Sequence, residues 1–72
     1  MTTLEYRVST PGYVTLKIFD ILGRSVATLV EENRAAGVYR ARWNAGTATS
    51  GVYFCELRSG SFVEVKPMVL VR

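Results

Sequence analysis

Apolar and polar residues alternate one for one along most of this chain. Leu4, Tyr6 and Val8 alternate with Thr3, Glu5, Arg7 and Ser9, the period of a strand with one buried face. Thr10-Pro11-Gly12 then supplies a turn. Val14, Leu16 and Ile18 alternate with Tyr13, Thr15, Lys17 and Phe19, and the β-branched members suit a second strand. Asp20-Ile21-Leu22-Gly23-Arg24 reads as a tight hairpin with a glycine bulge. Asp20 can accept backbone hydrogen bonds at the turn, and Gly23 can take positive φ. Ser25 to Val30 is then the return strand. Its rival is a helix over residues 25–34, because Val26, Leu29 and Val30 are spaced i, i+3, i+4.

Glu31 to Gly37 reads as a polar loop. Tyr39, Ala41 and Trp43 then alternate with Val38, Arg40, Arg42 and Asn44, placing aromatics on one face and arginines on the other. Asn44 to Gly51 is small and polar and carries neither period. Tyr53, Cys55 and Leu57 alternate with Val52, Phe54, Glu56 and Arg58, and Ser59-Gly60-Ser61 is a short hairpin turn. The last run extends from Phe62 to Arg72. Pro67 has no amide to give a ladder, so this strand is expected to be an edge, or to break or bulge there. Six to seven short strands at regular spacing, with no evident internal repeat, predict an all-β fold, an antiparallel β-sandwich. The 72 residues make one domain, 1–72.

Hydrophobic residues are 49% of the chain, enough to exclude disorder and to support a two-layer core. A chain this short buries only about 60% of its unfolded surface, so its stability margin is thin. The single cysteine excludes an intrachain disulfide, leaving packing to hold the domain. The net charge is +3, but the basic residues are spread along the strands and not bunched. That spread reads as a solvated face and not a nucleic-acid footprint, while weak attraction to an anionic surface stays open. No window approaches the roughly 20 apolar residues of a membrane span. The start, Met1-Thr2-Thr3-Leu4-Glu5-Tyr6, lacks the basic and apolar regions of a signal peptide. The chain is therefore cytosolic or a fragment exported by a signal upstream.

The catalytic inventory is poor. Without histidine, Ser-His-Asp and Cys-His arrangements cannot exist, and the usual zinc sets are missing. The acids Glu5, Asp20, Glu31, Glu32, Glu56 and Glu64 form neither a calcium ladder nor a glycosidase pair. No glycine motif cradles a phosphate. No enzyme activity and no cofactor or metal are expected. Tyr39, Trp43 and Tyr53 share a face with apolar neighbours and read as core. Phe19, Phe54 and Phe62 fall opposite the apolar face of their strands and are the candidates for exposed contacts. Cys55 reads as a small buried hydrophobe, with a reactive thiol as the alternative.

Ser50-Gly51-Val52-Tyr53-Phe54-Cys55, with Trp43 upstream, is similar to the tyrosine-corner strand of immunoglobulin variable domains, although the partner cysteine is missing. A wider resemblance covers nearly the whole chain. Val14 to Val30, Ala36-Gly37-Val38-Tyr39 with Trp43-Asn44-Ala45, Ser50 to Phe54, and Lys66 to Arg72 together resemble the C-terminal sorting domains of type IX secretion cargo. The related hook-capping immunoglobulin-like domains of flagellar proteins share the middle. The resemblance implies an immunoglobulin-like sandwich of seven strands on a larger secreted protein. It implies delivery across the outer membrane of Bacteroidetes-type bacteria to the cell surface or beyond, followed by removal by a sortase-like peptidase. Gly23, Trp43, Gly51 and Tyr53 are the motif and structural positions. Pro67 stands where that family usually has a second lysine, and Cys55 where an aromatic is common.

The terminal strand is the expected point of recognition, through Lys66, Met68, Leu70 and Arg72. Edge addition would let the outer-membrane translocation machinery pair with its backbone and sample alternate side chains. The alternative role for Lys66 is a guard against unwanted edge pairing. Two other functions compete: a structural module packing on a neighbouring domain of the same polypeptide through Phe19, Phe54 or Phe62, and a sugar-binding sandwich presenting Tyr13, Phe19 and Phe54 in a flat row.

Overall fold

In the computed structural model, which describes residues 2–46 and 48–71, the alternating runs become six strands. These are β1 (Thr2–Val8), β2 (Gly12–Asp20), β3 (Ser25–Arg34), β4 (Gly37–Trp43), β5 (Gly51–Ser59) and β6 (Phe62–Leu70). They form two antiparallel sheets, one of order β1-β4 and one of order β3-β2-β5-β6. The inward residues of both sheets meet between them. Val14, Leu16 and Ile18 of β2 and Val8 of β1 are fully buried. Tyr6, Val30, Ala41, Trp43, Tyr53 and Leu57 complete the interior. β2 is central because β3 and β5 flank it on both sides. Burying each large aliphatic side chain contributes about 1.5–3 kcal/mol, a sizeable part of the roughly 4–10 kcal/mol that a domain of this size holds in total.

The return strand holds against its helical rival, since residues 25–34 are strand throughout, while other local expectations change. The polar loop shrinks to Ala35 and Ala36. Glu31, Glu32 and Asn33 pair with Thr15, Val14 and Tyr13 as the end of β3. Backbone pairing with β2 holds this stretch, while its exposed side chains carry no apolar alternation to reveal it. The unclear phase of β3 has a separate cause. Val30 opposes Leu16 but Thr28 opposes Lys17, so Leu29 is an extra residue at a bulge. Leu29 and Val30 then both reach the interior, which produces the helix-like spacing. Finally, Pro67 neither breaks nor bulges its strand. Register runs unbroken from Phe62 opposite Ser59 to Leu70 opposite Gly51. A proline fits there if its amide side faces away from β5 toward the open edge. The seventh strand implied by the resemblance is not present among the described residues.

The β2–β3 turn forms as the sequence requires. Gly23 has φ of +83°, and its amide donates to the Asp20 carbonyl at 2.9 Å. One Asp20 carboxylate oxygen accepts from the amides of Leu22 and Arg24 at 3.0 and 2.9 Å, and the other accepts from Arg24 Nε at 2.8 Å. These bonds, led by that from the Arg24 amide, hold the Asp20 carboxyl below its ordinary pKa. The folded carboxyl is more acidic than the unfolded one. Its contribution is therefore complete above the unfolded value of about 3.9 and is lost as pH falls through the folded value. Thermal melts between about pH 6 and about pH 2 should show wild-type stability falling more steeply below about pH 4 than that of Asp20→Asn. Parallel profiles would refute this role.

Candidate recognition edge

β6 is bonded only through β5, so its other side is an open edge. Its even-numbered residues face the smaller sheet, since Glu64, Lys66 and Met68 stand opposite the core-facing Leu57, Cys55 and Tyr53. Two strands do not cover four. Glu64 and Lys66 stay exposed, with Lys66 Nζ 3.7 Å from Glu64 Oε1. Farther along, Met68 and Leu70 pack against the cluster of Ile18, Trp43 and Tyr53. Of the nominated recognition residues, Lys66 is thus open, Met68 and Leu70 are half-buried, and Arg72 lies outside the described residues.

The other face of the same strand went unremarked in the sequence. Val63, Val65, Pro67 and Val69 turn outward, and all are exposed. Val65 is 51% and Val69 72% accessible. The odd positions of β6 are apolar without a break, whereas the even ones mix Phe62, Met68 and Leu70 with Glu64 and Lys66, so period two by itself would turn the valines inward. Only the strand order makes one parity a surface.

The phenylalanines do not form one patch. Phe19 stands opposite Phe54, and Phe54 opposite Pro67, giving a row across β2, β5 and β6 on the outer face. Phe19 and Phe54 are each half-buried. Phe62 is exposed on the opposite face at the other end of β6. Tyr13 shares the outer face of β2 but lies six residues from Phe19, about 20 Å along a strand. Thr15 and Lys17 intervene, so Tyr13, Phe19 and Phe54 form no flat aromatic row.

The strands that support this edge begin with a repeated device. Gly37-Val38-Tyr39 opens β4 and Gly51-Val52-Tyr53 opens β5. Each tyrosine hydroxyl donates to the carbonyl four residues earlier: Tyr39 to Ala35 at 2.6 Å and Tyr53 to Thr49 at 2.7 Å. The glycines share an unusual backbone, with φ of +158° and +154°. This is the tyrosine-corner geometry, used twice. No longer repeat accompanies it, and the shared Gly-Val-Tyr tripeptide is its one mark in the sequence. The rings are also seated. Tyr39 stacks on Tyr6 with centroids 5.5 Å apart, and Trp43 meets Tyr53 edge-on at 5.1 Å. Arg34 lies over the Tyr39 ring at 5.0 Å, a cation–π contact.

Between the edges of β1 and β6 the sandwich opens into a cleft of about 170 Å³, lined among others by Leu4, Tyr6, Cys55, Leu57, Lys66 and Met68. Burial pushes the Cys55 thiol pKa up, which favours the unreactive thiol form. Among the described residues no group of histidine, cysteine and carboxylate side chains is placed to hold a metal ion. No helix is long and apolar enough to cross a membrane.

A family model described as the secretion system C-terminal sorting domain matches residues 2–71. The chain belongs to that family. No curated protein and no solved structure matches it. As a type IX sorting domain it is a signal carried by a larger cargo protein and recognised by the secretion machinery, in a family not known to be catalytic. Proteins that bear it are exported to the cell surface or the extracellular space.

The sorting domain's two corners should differ in worth. The Tyr53 bond is half-buried and the Tyr39 bond exposed. Tyr53→Phe should lower stability by about 1 kcal/mol and Tyr39→Phe by less, read as melting shifts of about 4–8 °C and below. Gly51→Ala meets no atom within 4 Å, so any loss reports backbone strain alone, about 1–3 kcal/mol. An unchanged melting point for Gly51→Ala would show that the corner does not need this φ.

Proposed function

We propose that the open edge of β6 is the element that the outer-membrane translocation machinery reads, by adding a strand of its own. The observation that carries this reading is the one-sided pairing of β6. Backbone groups along an open edge bind an incoming strand, and side chains at alternate positions select it. Lys66, Met68 and Leu70 remain the nominated side chains on one face, Arg72 stays nominated outside the described residues, and Val65 and Val69 are now added on the other face. Pro67 limits how far such pairing can extend, because it offers no amide. Removal of the domain from its cargo by a sortase-like peptidase completes the sequence of events that the family resemblance supports.

Placing Met68 to Arg72 within the recognised element predicts that their deletion from the complete cargo abolishes surface delivery, measured by protease accessibility on intact cells. Normal delivery would end the proposal. Val65→Pro and Val69→Pro remove edge-facing amides without costing a bond to β5. They should each lower delivery roughly two- to tenfold, the worth of one or two hydrogen bonds, with the domain still folded. Lys66→Ala separates readout from guarding. Reduced delivery assigns Lys66 to recognition, whereas normal delivery with increased aggregation assigns it to edge protection.

A second reading rests on the Phe19–Phe54–Pro67 row. That outer face supports packing on a neighbouring domain, and Phe54→Ser would weaken such docking while leaving β6 intact.

A further inference from the structure

We propose that β6 also pairs with β6 of a second copy, antiparallel and centred on Val65, to make a closed two-fold dimer with a continuous eight-stranded sheet. This stands independently of the machinery reading, although both use the same edge. Three features of β6 point to it.

The first is charge. When Val65 opposes Val65 of the second copy, Glu64 falls opposite Lys66 and Lys66 opposite Glu64. Both side chains are exposed on the same face and already lie 3.7 Å apart within one strand. Two-fold pairing turns that single contact into a four-charge cluster with every neighbour opposite in sign. Cross-strand pairs of opposite charge favour a register, and like pairs oppose it.

The second is backbone parity. Pro67 sits without strain if the odd-numbered residues turn their amides to the open edge. Pairing centred on an odd residue brings odd residues together, so edge-facing groups meet edge-facing groups. Val65 then exchanges two bonds with its counterpart, and Val63 donates to the Pro67 carbonyl of the second copy. A register shifted by one residue would set the two alternations out of phase.

The third is the side-chain match. On the outer face Val63 meets Pro67 and Val65 meets Val65, and on the inner face the exposed Phe62 meets Met68. Over residues 62–68 each apolar residue opposes another apolar one, while Val69 falls opposite Ser61. The association closes at two copies because the remaining edge of the same sheet, β3, is blunted. It carries Glu31 and Glu32 and two register slips, the devices that discourage edge pairing.

The test uses the purified chain without any secretion component. Sedimentation should show reversible monomer–dimer exchange between roughly 10 µM and 1 mM, the range of a small transient interface. Lys66→Glu and Glu64→Lys each bring like charges together and should weaken self-association roughly tenfold. The two variants mixed should associate again, because each supplies the charge the other lacks. Circular dichroism and melting confirm that both variants remain folded. A wild-type chain that stays monomeric at about 1 mM overturns the proposal. So do single variants that dimerise like the wild type, or a mixture that stays monomeric. Failure here leaves the delivery assays with Val65→Pro and Val69→Pro unaffected, so the two proposals can fail separately.

Discussion

The stripe of Val14, Leu16 and Ile18 on β2 is the contact on which the rest of this domain depends. These three side chains have essentially no access to solvent. They are sheltered laterally by β3 and β5 and from above by the aromatic-rich face of β1 and β4. A chain of 72 residues has no second core to fall back on. With only two strands to cover four, packing is dense under β1 and β4 and sparse at the flank. The flank strand is β6. Its open edge follows from its place at the end of the sheet, and the exposure of Glu64 and Lys66 from the shortage of covering strands.

A sorting signal needs a shape that persists even though the domain that displays it is small. β6 meets that need by borrowing order from β5, to which it is paired along its whole length. β5 is in turn fixed at its start by the Tyr53 corner and along its inner face by the Trp43 contact and Leu57. The proposed recognition element is therefore two steps from the core. Its backbone is ordered while its outer groups stay free. Pro67 refines this arrangement by leaving the intramolecular ladder intact and interrupting what an incoming strand can find. In the two proposals the same open edge would serve a receptor strand and a second copy, so the two associations would compete. Self-pairing would keep an adhesive edge covered until the machinery displaces it.

The hydrophobic alternation was strong enough to locate five of the six strands closely and to pick out the interior residues of β1, β2, β4 and β5. Those strands have one wet and one dry face, and period two is written directly into them. β3 was harder because its bulge at Leu29 puts consecutive residues inward and its last residues, Glu31 to Arg34, bring no apolar side chain to the interior. The paired Gly-Val-Tyr corners were also present in the letters. Their meaning lies in two hydroxyl-to-carbonyl bonds that no spacing rule supplied.

The chain by itself determined that this is a strand-built domain with no histidine for a Ser-His-Asp or Cys-His arrangement, since composition and alternation are both read directly from its letters. Tertiary structure decided which strand stands at the edge and which parity of β6 is surface. Val63 and Val65 alternate with Glu64 and Lys66, a pattern that by itself would turn the valines inward. Only the neighbour on one side, and the lack of a covering strand on the other, makes the valines outward and the lysine open. Strand order is a long-range property, set by which apolar faces meet across the sandwich, and short-range periodicity carries no record of it.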